Sequence, residues 1–179
     1  MQYNPRVSYR FLALDIGSVR TGVAVSDSGG VLASPAGTIE ASDFKEIAAE
    51  LGRLLESLAK EGRIEGTRDF AAIIVGLPLG KSGEETERTT NIRIIGELLA
   101  ADFGLPVHFV DERYSTRRMK AADRESGRRE MKGRENIDAR AAAEILQGWL
   151  DARRMRGVSS DYDDSPEGSK PIDAGGERY

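Results

Sequence analysis

Three acids stand where apolar patterns begin or end, and oxygen ligands so placed can do chemistry if the chain brings them together. Asp15 closes the run Phe11-Leu12-Ala13-Leu14. Glu112, with Asp111 before it, closes Val107-His108-Phe109-Val110. Asp138 opens the alanine-rich pattern Asp138-Ala139-Arg140-Ala141-Ala142. Hard carboxylate ligands gathered at strand ends and a helix start are what Mg²⁺ or Mn²⁺ requires. Collected in one place, they would form a metal-dependent phosphoryl-transfer site, and the chain would be a nuclease. Each acid also has a plainer reading. Asp15 could stabilise a turn, Glu112 could be a solvated strand end, and Asp138 could serve the start of a helix, where capping and the dipole favour a carboxylate. Side chains alternate faces along a strand, so only one of Asp111 and Glu112 can face Asp15. Glu112 is the favoured one. Asp138 falls on the apolar stripe of its helix, four residues before Ala142, and that stripe should face the sheet.

Other motifs are weaker. Gly76-Leu77-Pro78-Leu79-Gly80-Lys81-Ser82 suggests a phosphate-binding loop, but three residues separate its glycines where a P-loop has four, and one is proline. A glycine-rich substrate-contact loop fits it better. His108 is the one histidine, inside an apolar run. That makes it structural and argues against a Ser-His-Asp triad. Trp149 lies on a core stripe and should pack.

The elements that must position these groups follow from periodicity. Strands are expected at 10–15, 21–27 and 31–40, the last marked as an edge or bulge by Pro35. A helix capped by Asp43 should run to about Glu61. A buried strand at 70–75 ends at Gly76. A helix over 84–103 turns Ile92, Ile95, Leu98 and Leu99 inward and stops at Gly104. A strand at 107–110 follows, then a helix from Ser115 to Gly127, a polar basic loop over 128–137, and a last helix with Ala142, Ile145, Leu146, Trp149 and Leu150 on its apolar stripe. Three leading antiparallel strands followed by strand–helix units predict an α/β fold, a mixed sheet with helices on both faces.

The 179 residues suit one domain, expected over 1–156, and 157–179 should be a disordered acidic tail without apolar periodicity. The net charge of −4 is that of the tail, which has six acids and two bases, and the rest is neutral. Within that body, residues 113–134 carry nine bases and three acids, which suits a polyanionic partner. There is no cysteine, so neither disulfides nor Cys-based zinc are available. No apolar run approaches the roughly 20 residues of a membrane span, and the N-terminus has no signal-peptide core. A cytoplasmic location with no membrane partner is expected.

Taken in order, residues 14–27 (Leu-Asp-Ile-Gly-Ser-Val-Arg-Thr-Gly-Val-Ala-Val-Ser-Asp), Val75-Gly76-Leu77-Pro78, Asp111-Glu112-Arg113-Tyr114-Ser115-Thr116 and residues 137–147 (Ile-Asp-Ala-Arg-Ala-Ala-Ala-Glu-Ile-Leu-Gln) resemble the YqgF/RuvX family from about residue 10 to 152. The resemblance implies an RNase H-like fold and a bacterial hydrolase processing the 5′ end of pre-16S ribosomal RNA. It places the family's acidic site on Asp15, Glu112 and Asp138, which serve as both catalytic groups and metal ligands. Asp15 would bridge two ions about 3.5–4 Å apart. The cations expected to meet nucleic acid are Arg20, Lys81, Arg113, Arg117, Arg128, Arg129, Lys132 and Arg134. Family members also resemble Holliday-junction resolvases, so branched DNA is the alternative substrate, and a symmetric junction would favour a twofold homodimer. A non-catalytic module for structured RNA is a third reading. Gly80-Lys81-Ser82 and Tyr114 depart from the residues common at these places, which bears on loop contacts and not on the acids.

Overall fold

The computed structural model describes residues 10–66, 69–80, 82–112 and 135–156. Strands β1 (Arg10–Ile16), β2 (Thr21–Ser26), β3 (Ala33–Ile39), β4 (Phe70–Leu77) and β5 (Val107–Asp111) form one sheet in the order β3-β2-β1-β4-β5. The first three pair antiparallel, whereas β4 and β5 run parallel to β1. The predicted mixed sheet is thus present, with the strand order of an RNase H-like fold. β1 and β4 lie inside the sheet and are covered on both faces, so Phe11–Leu14 and Ala72–Val75 are wholly apolar and fully buried.

Helices α1 (Phe44–Lys60) and α2 (Glu87–Phe103) cover one face. Asp43 starts α1 by accepting the amides of Lys45 and Glu46 on its carboxylate, and the helix buries Ile47, Leu51, Leu55 and Leu58. Thr86 caps α2, and Gly104 ends it in the left-handed conformation that glycine adopts without a Cβ penalty. Helix α3 (Glu135–Met155) covers the other face, where Ala142, Ile145, Leu146 and Leu150 meet Phe11, Ala13, Ala24 and Ile74. The Gln147 side chain joins α3 to the edge of the sheet, accepting the Ala33 amide at 2.9 Å and donating to the Val31 carbonyl at 3.1 Å. No helix among the described residues is long and apolar enough to cross a membrane.

Several boundaries differ from the sequence expectation. β4 does not stop at Gly76 but continues through Leu77, because β5 pairs with it to the end. β3 begins at Ala33, leaving Val31 and Leu32 exposed in the turn. Pro35 does lie on the sheet edge, where the register with β2 slips. α2 begins at Glu87, not Glu84, since Glu84 and Glu85 precede the Thr86 cap. Its Leu98 faces outward at 44% exposure, whereas Ile92 and Leu99 are buried. Polar Thr89 and small Gly96 take part of the inner face instead, and Gly96 makes room for Phe109. α3 starts three residues before Asp138, within what reads as loop. The expected helix from Ser115 and the acidic tail lie outside the described residues.

Candidate active site

The alternation of strand side chains decides which acids can meet. On β1, Phe11 and Ala13 face α3, so Asp15, two residues on, faces the same way at the strand's exit. On β4, Ala72 and Ile74 face α3, and Gly76 continues that row. On β5, Val110 packs with the α3 cluster, which turns Glu112 to the same side and Asp111 away. Asp15 pairs with Gly22 on β2, and Leu14 pairs with Val75, which sets Gly76 beside Asp15 on the other flank. One carboxylate therefore stands between two glycines in a row across three strands.

Each glycine makes room for another acid. A Cβ on Gly22 would collide with the main-chain carbonyl of Asp138, so the first turn of α3 rests directly on β2 beside Asp15. A Cβ on Gly76 would lie 2.5 Å from Oε1 of Glu112 and 2.7 Å from Cδ1 of Ile145. The Glu112 carboxylate occupies the space that Gly76 leaves. Gly17 closes the β1–β2 turn, donating its amide to the Arg20 carbonyl at 2.8 Å.

Asp15, Glu112 and Asp138 thus gather at one end of one face, with Asp15 close enough to Asp138 and to Glu112 for their charges to interact. Burial raises the pKa of Asp15 and the negative charge of Asp138 raises it further, while the Arg88 guanidinium lowers it. Burial, followed by the charge of Asp15, pushes the Glu112 carboxyl up to about 7, with Arg88 opposing and Asp111 adding to the rise. Asp138 leans toward Arg20, whose Nε lies 3.7 Å from its Oδ2. Among the described residues no three acidic or histidine side chains stand close enough to hold an ion as they are placed. The arrangement is an open cluster. Its spacing has a physical reason, since like carboxylates without a countercharge repel and Asp138 has a cation to turn to. The donors nonetheless fit a hard divalent cation. They are carboxylate oxygens only, and burial together with mutual repulsion raises the pKa of two of them, which a bound cation would offset.

Of the expected nucleic-acid contacts, Arg20 lies at the cluster. Lys81, Arg113, Arg117, Arg128, Arg129, Lys132 and Arg134 lie outside the described residues. His108 lies inside β5, packed against α3. Its ring stacks on Trp149 with centroids 5.4 Å apart, and burial lowers its pKa, with Arg153 and Arg156 adding to the effect. Trp149 packs on Phe11 at 4.8 Å. The sequence reading missed Arg88. Its signal was a cation in the first turn of a helix that follows a strand-end loop, where the dipole disfavours positive charge. Beside it, an open cleft of about 350 Å³ runs between the β1–β2 turn and α2, lined by Gly17, Ser18, Ser42, Arg88, Asn91 and Ile95 among others.

A family model described as RuvX, Holliday junction resolvase, matches residues 9–152. The chain belongs to the RuvX family. A protein of Corynebacterium jeikeium (strain K411), named "Putative pre-16S rRNA nuclease", is 40% identical over 146 residues, which cover 81% of this chain and 88% of its own. A Leifsonia xyli protein of the same name is 41% identical over 143 residues, covering 80% and 86%. These RuvX-family relatives bear the names of nucleases. Among solved structures, Thermus thermophilus RuvC in complex with a Holliday junction substrate aligns with 82% of this chain and 96% of its own, at 15% identity and a TM-score of 0.48. At that identity and score the likeness bears on neither site nor substrate.

Proposed function

We propose that this chain is a divalent-metal-dependent nuclease that hydrolyses phosphodiester bonds, with Asp15, Glu112 and Asp138 as its metal-binding and catalytic groups and precursor 16S ribosomal RNA as its substrate. The observation that carries this reading is the row Gly22–Asp15–Gly76, which exposes one carboxylate at the sheet end and brings Asp138 and Glu112 in from either side. Among the described residues, the side chains at this place that could serve as a general base are the acids themselves. His108, the one histidine, is occupied against Trp149. When bound, Mg²⁺ or Mn²⁺ would lower the pKa of an attacking water and stabilise the charge on the leaving oxygen.

Asp15, fixed in the sheet by its strand partners, orients whatever the cluster binds. Glu112, whose carboxyl burial and Asp15 push up to about 7, would hold the ion in its ionised form. Asp138 would complete the set, and Arg20, 3.7 Å from it, would be placed to meet a phosphate oxygen. The substrate assignment is supported by the names of the curated relatives. The family model's own description favours branched DNA, so a junction-resolving activity is the second reading.

The test is cleavage of a precursor ribosomal RNA and a four-way DNA junction side by side, with Mg²⁺, with Mn²⁺ and with EDTA. RNA cleavage that needs metal and vanishes in Asp15→Asn, with folding unchanged, is expected. Cleavage of the junction alone selects the second reading. Salt-sensitive RNA binding without cleavage of either substrate in any metal overturns the enzyme.

A further inference from the structure

The cleft beside Arg88 is not used by the acidic cluster, although it opens at the same end of the sheet. On α2, Arg88, Asn91 and Ile92, and Ile95 are spaced at i, i+3, i+4 and i+7, which puts them on one helical face. That face looks across about 350 Å³ of open space toward the β1–β2 turn that follows Asp15. The polar side of the cleft offers a guanidinium, a carboxamide and the hydroxyls of Ser18 and Ser42, and the isoleucines supply an apolar wall. The start of α2 is well fixed. The Thr86 side chain accepts the Thr89 amide, and the Thr89 hydroxyl donates to the Pro78 carbonyl at 3.0 Å, tying the helix to the end of β4.

Arg88 itself is poorly explained by folding. It is exposed, it sits in the first turn where the helix dipole opposes it, and its charge reaches Asp15 and Glu112 without a salt bridge to either. Arg88 also lines the cleft, so the same guanidinium can meet a ligand there. We infer that this cleft is a subsite for a phosphate of the nucleic-acid strand next to the one cleaved, with Arg88 and Asn91 as its binding groups and the apolar wall against the attached sugar. The space exceeds what a lone phosphate fills and suits a phosphate with its sugar. The inference rests on the nuclease reading and adds a substrate contact to it. Glu87 also lines the cleft and would repel a phosphate, so it sets a limit on affinity that the inference makes measurable.

The experiment separates the two readings by measuring binding without chemistry. A labelled RNA hairpin and a labelled four-way DNA junction are titrated in EDTA across a salt series. The variants are wild type, Arg88→Ala, Arg88→Lys, Asn91→Ala, Glu87→Gln and Arg154→Ala, the last being an exposed arginine at the far end of α3. For the probe that binds, Arg88→Ala should weaken binding about tenfold, as loss of a charged hydrogen bond does. It should also reduce the steepness of log K against log salt by about 0.7–0.9, the share of one phosphate. Arg88→Lys should restore the slope, Asn91→Ala should weaken binding without changing the slope, and Glu87→Gln should tighten binding. If Arg88 served only to balance the nearby carboxylates, its loss would cease to matter in an Asp15→Asn background, and that result would overturn the subsite. So would an unchanged slope in Arg88→Ala, or a change no larger than that of Arg154→Ala, while wild type still binds. Failure of the wild type to bind either probe in EDTA, and of Asp15→Asn to bind either with Mg²⁺, would instead remove the nuclease reading.

Discussion

At the scale of single residues, the Glu112 carboxyl makes the sharpest statement about the cluster. Its pKa in the folded protein is about 7, against an ordinary 4.5, because it is buried beside Asp15. The unfolded chain ionises it near the ordinary value. Between those two pH values the folded state holds the extra proton, so stability falls as pH rises through that window and levels off above it. The metal-free protein is therefore expected to have a lower thermal midpoint at pH 8 than at pH 5.5. Millimolar Mg²⁺ should remove most of that difference by favouring the ionised form, and Glu112→Gln should flatten the metal-free profile. A metal-free pH profile identical in wild type and Glu112→Gln would mean that this carboxyl is not buried beside Asp15 in solution, the opposing contribution of His108 being common to both.

At the scale of elements, two glycines separate building the site from building the fold. Alanine in place of glycine in an open strand commonly stabilises by about 0.5–1 kcal/mol through chain entropy. At Gly22 the added carbon meets the main chain of Asp138 and Ala139, which cannot move aside without lifting α3 from the sheet. At Gly76 it meets the end of the Glu112 side chain and one methyl of Ile145, and both can swing. Gly22→Ala should therefore cost about 1–3 kcal/mol of stability together with activity. Gly76→Ala should leave the melting midpoint near that of wild type and lower cleavage at least tenfold, with a raised metal requirement. Urea melts and metal-dependent rates on the two variants check this. Comparable loss of stability in both would show that Gly76 matters only for packing.

The same glycines show what was legible in the chain. The strands could be read from apolar runs and alternation, Asp43 and Gly104 from capping chemistry, and the choice of Glu112 over Asp111 from the period of two along a strand, whereas the Thr86 cap could not be told from its neighbours. The use of Gly22 and Gly76 could not, since a missing side chain has no pattern until the neighbouring strands are known. Leu98 faces outward against the periodicity because α2 fills part of its inner face with Thr89 and Gly96, so apolar residues alone do not mark that face. Arg88 was passed over for the opposite reason. A charged residue on an exposed helical turn looks like ordinary surface, and only its nearness to Asp15 and Glu112 gives it meaning.

At the scale of the whole molecule, charge is arranged in blocks. Residues 1–156 are neutral overall and contain the basic stretch 113–134, while 157–179 carry a net charge of −4. A polyanionic substrate approaching this chain is attracted by one block and repelled by the other, whatever shape either takes. The repulsion acts through solvent and so reaches about 10 Å at 0.1 M salt. Ending the chain at Arg156 is therefore expected to tighten nucleic-acid binding several-fold at low ionic strength, chiefly through faster association. The advantage should disappear by about 0.5 M salt, where the screening length is shorter than the distances involved. Cleavage at saturating substrate should be unchanged, because the acidic cluster is formed by residues 15 to 138. Association rates measured across a salt series for the two lengths test this. A tighter truncated protein whose advantage persists at high salt would show that the tail makes a specific contact with the binding surface and acts as a competitor for it. Equal affinity at every salt would mean that the tail's charge stays beyond screening range of the substrate.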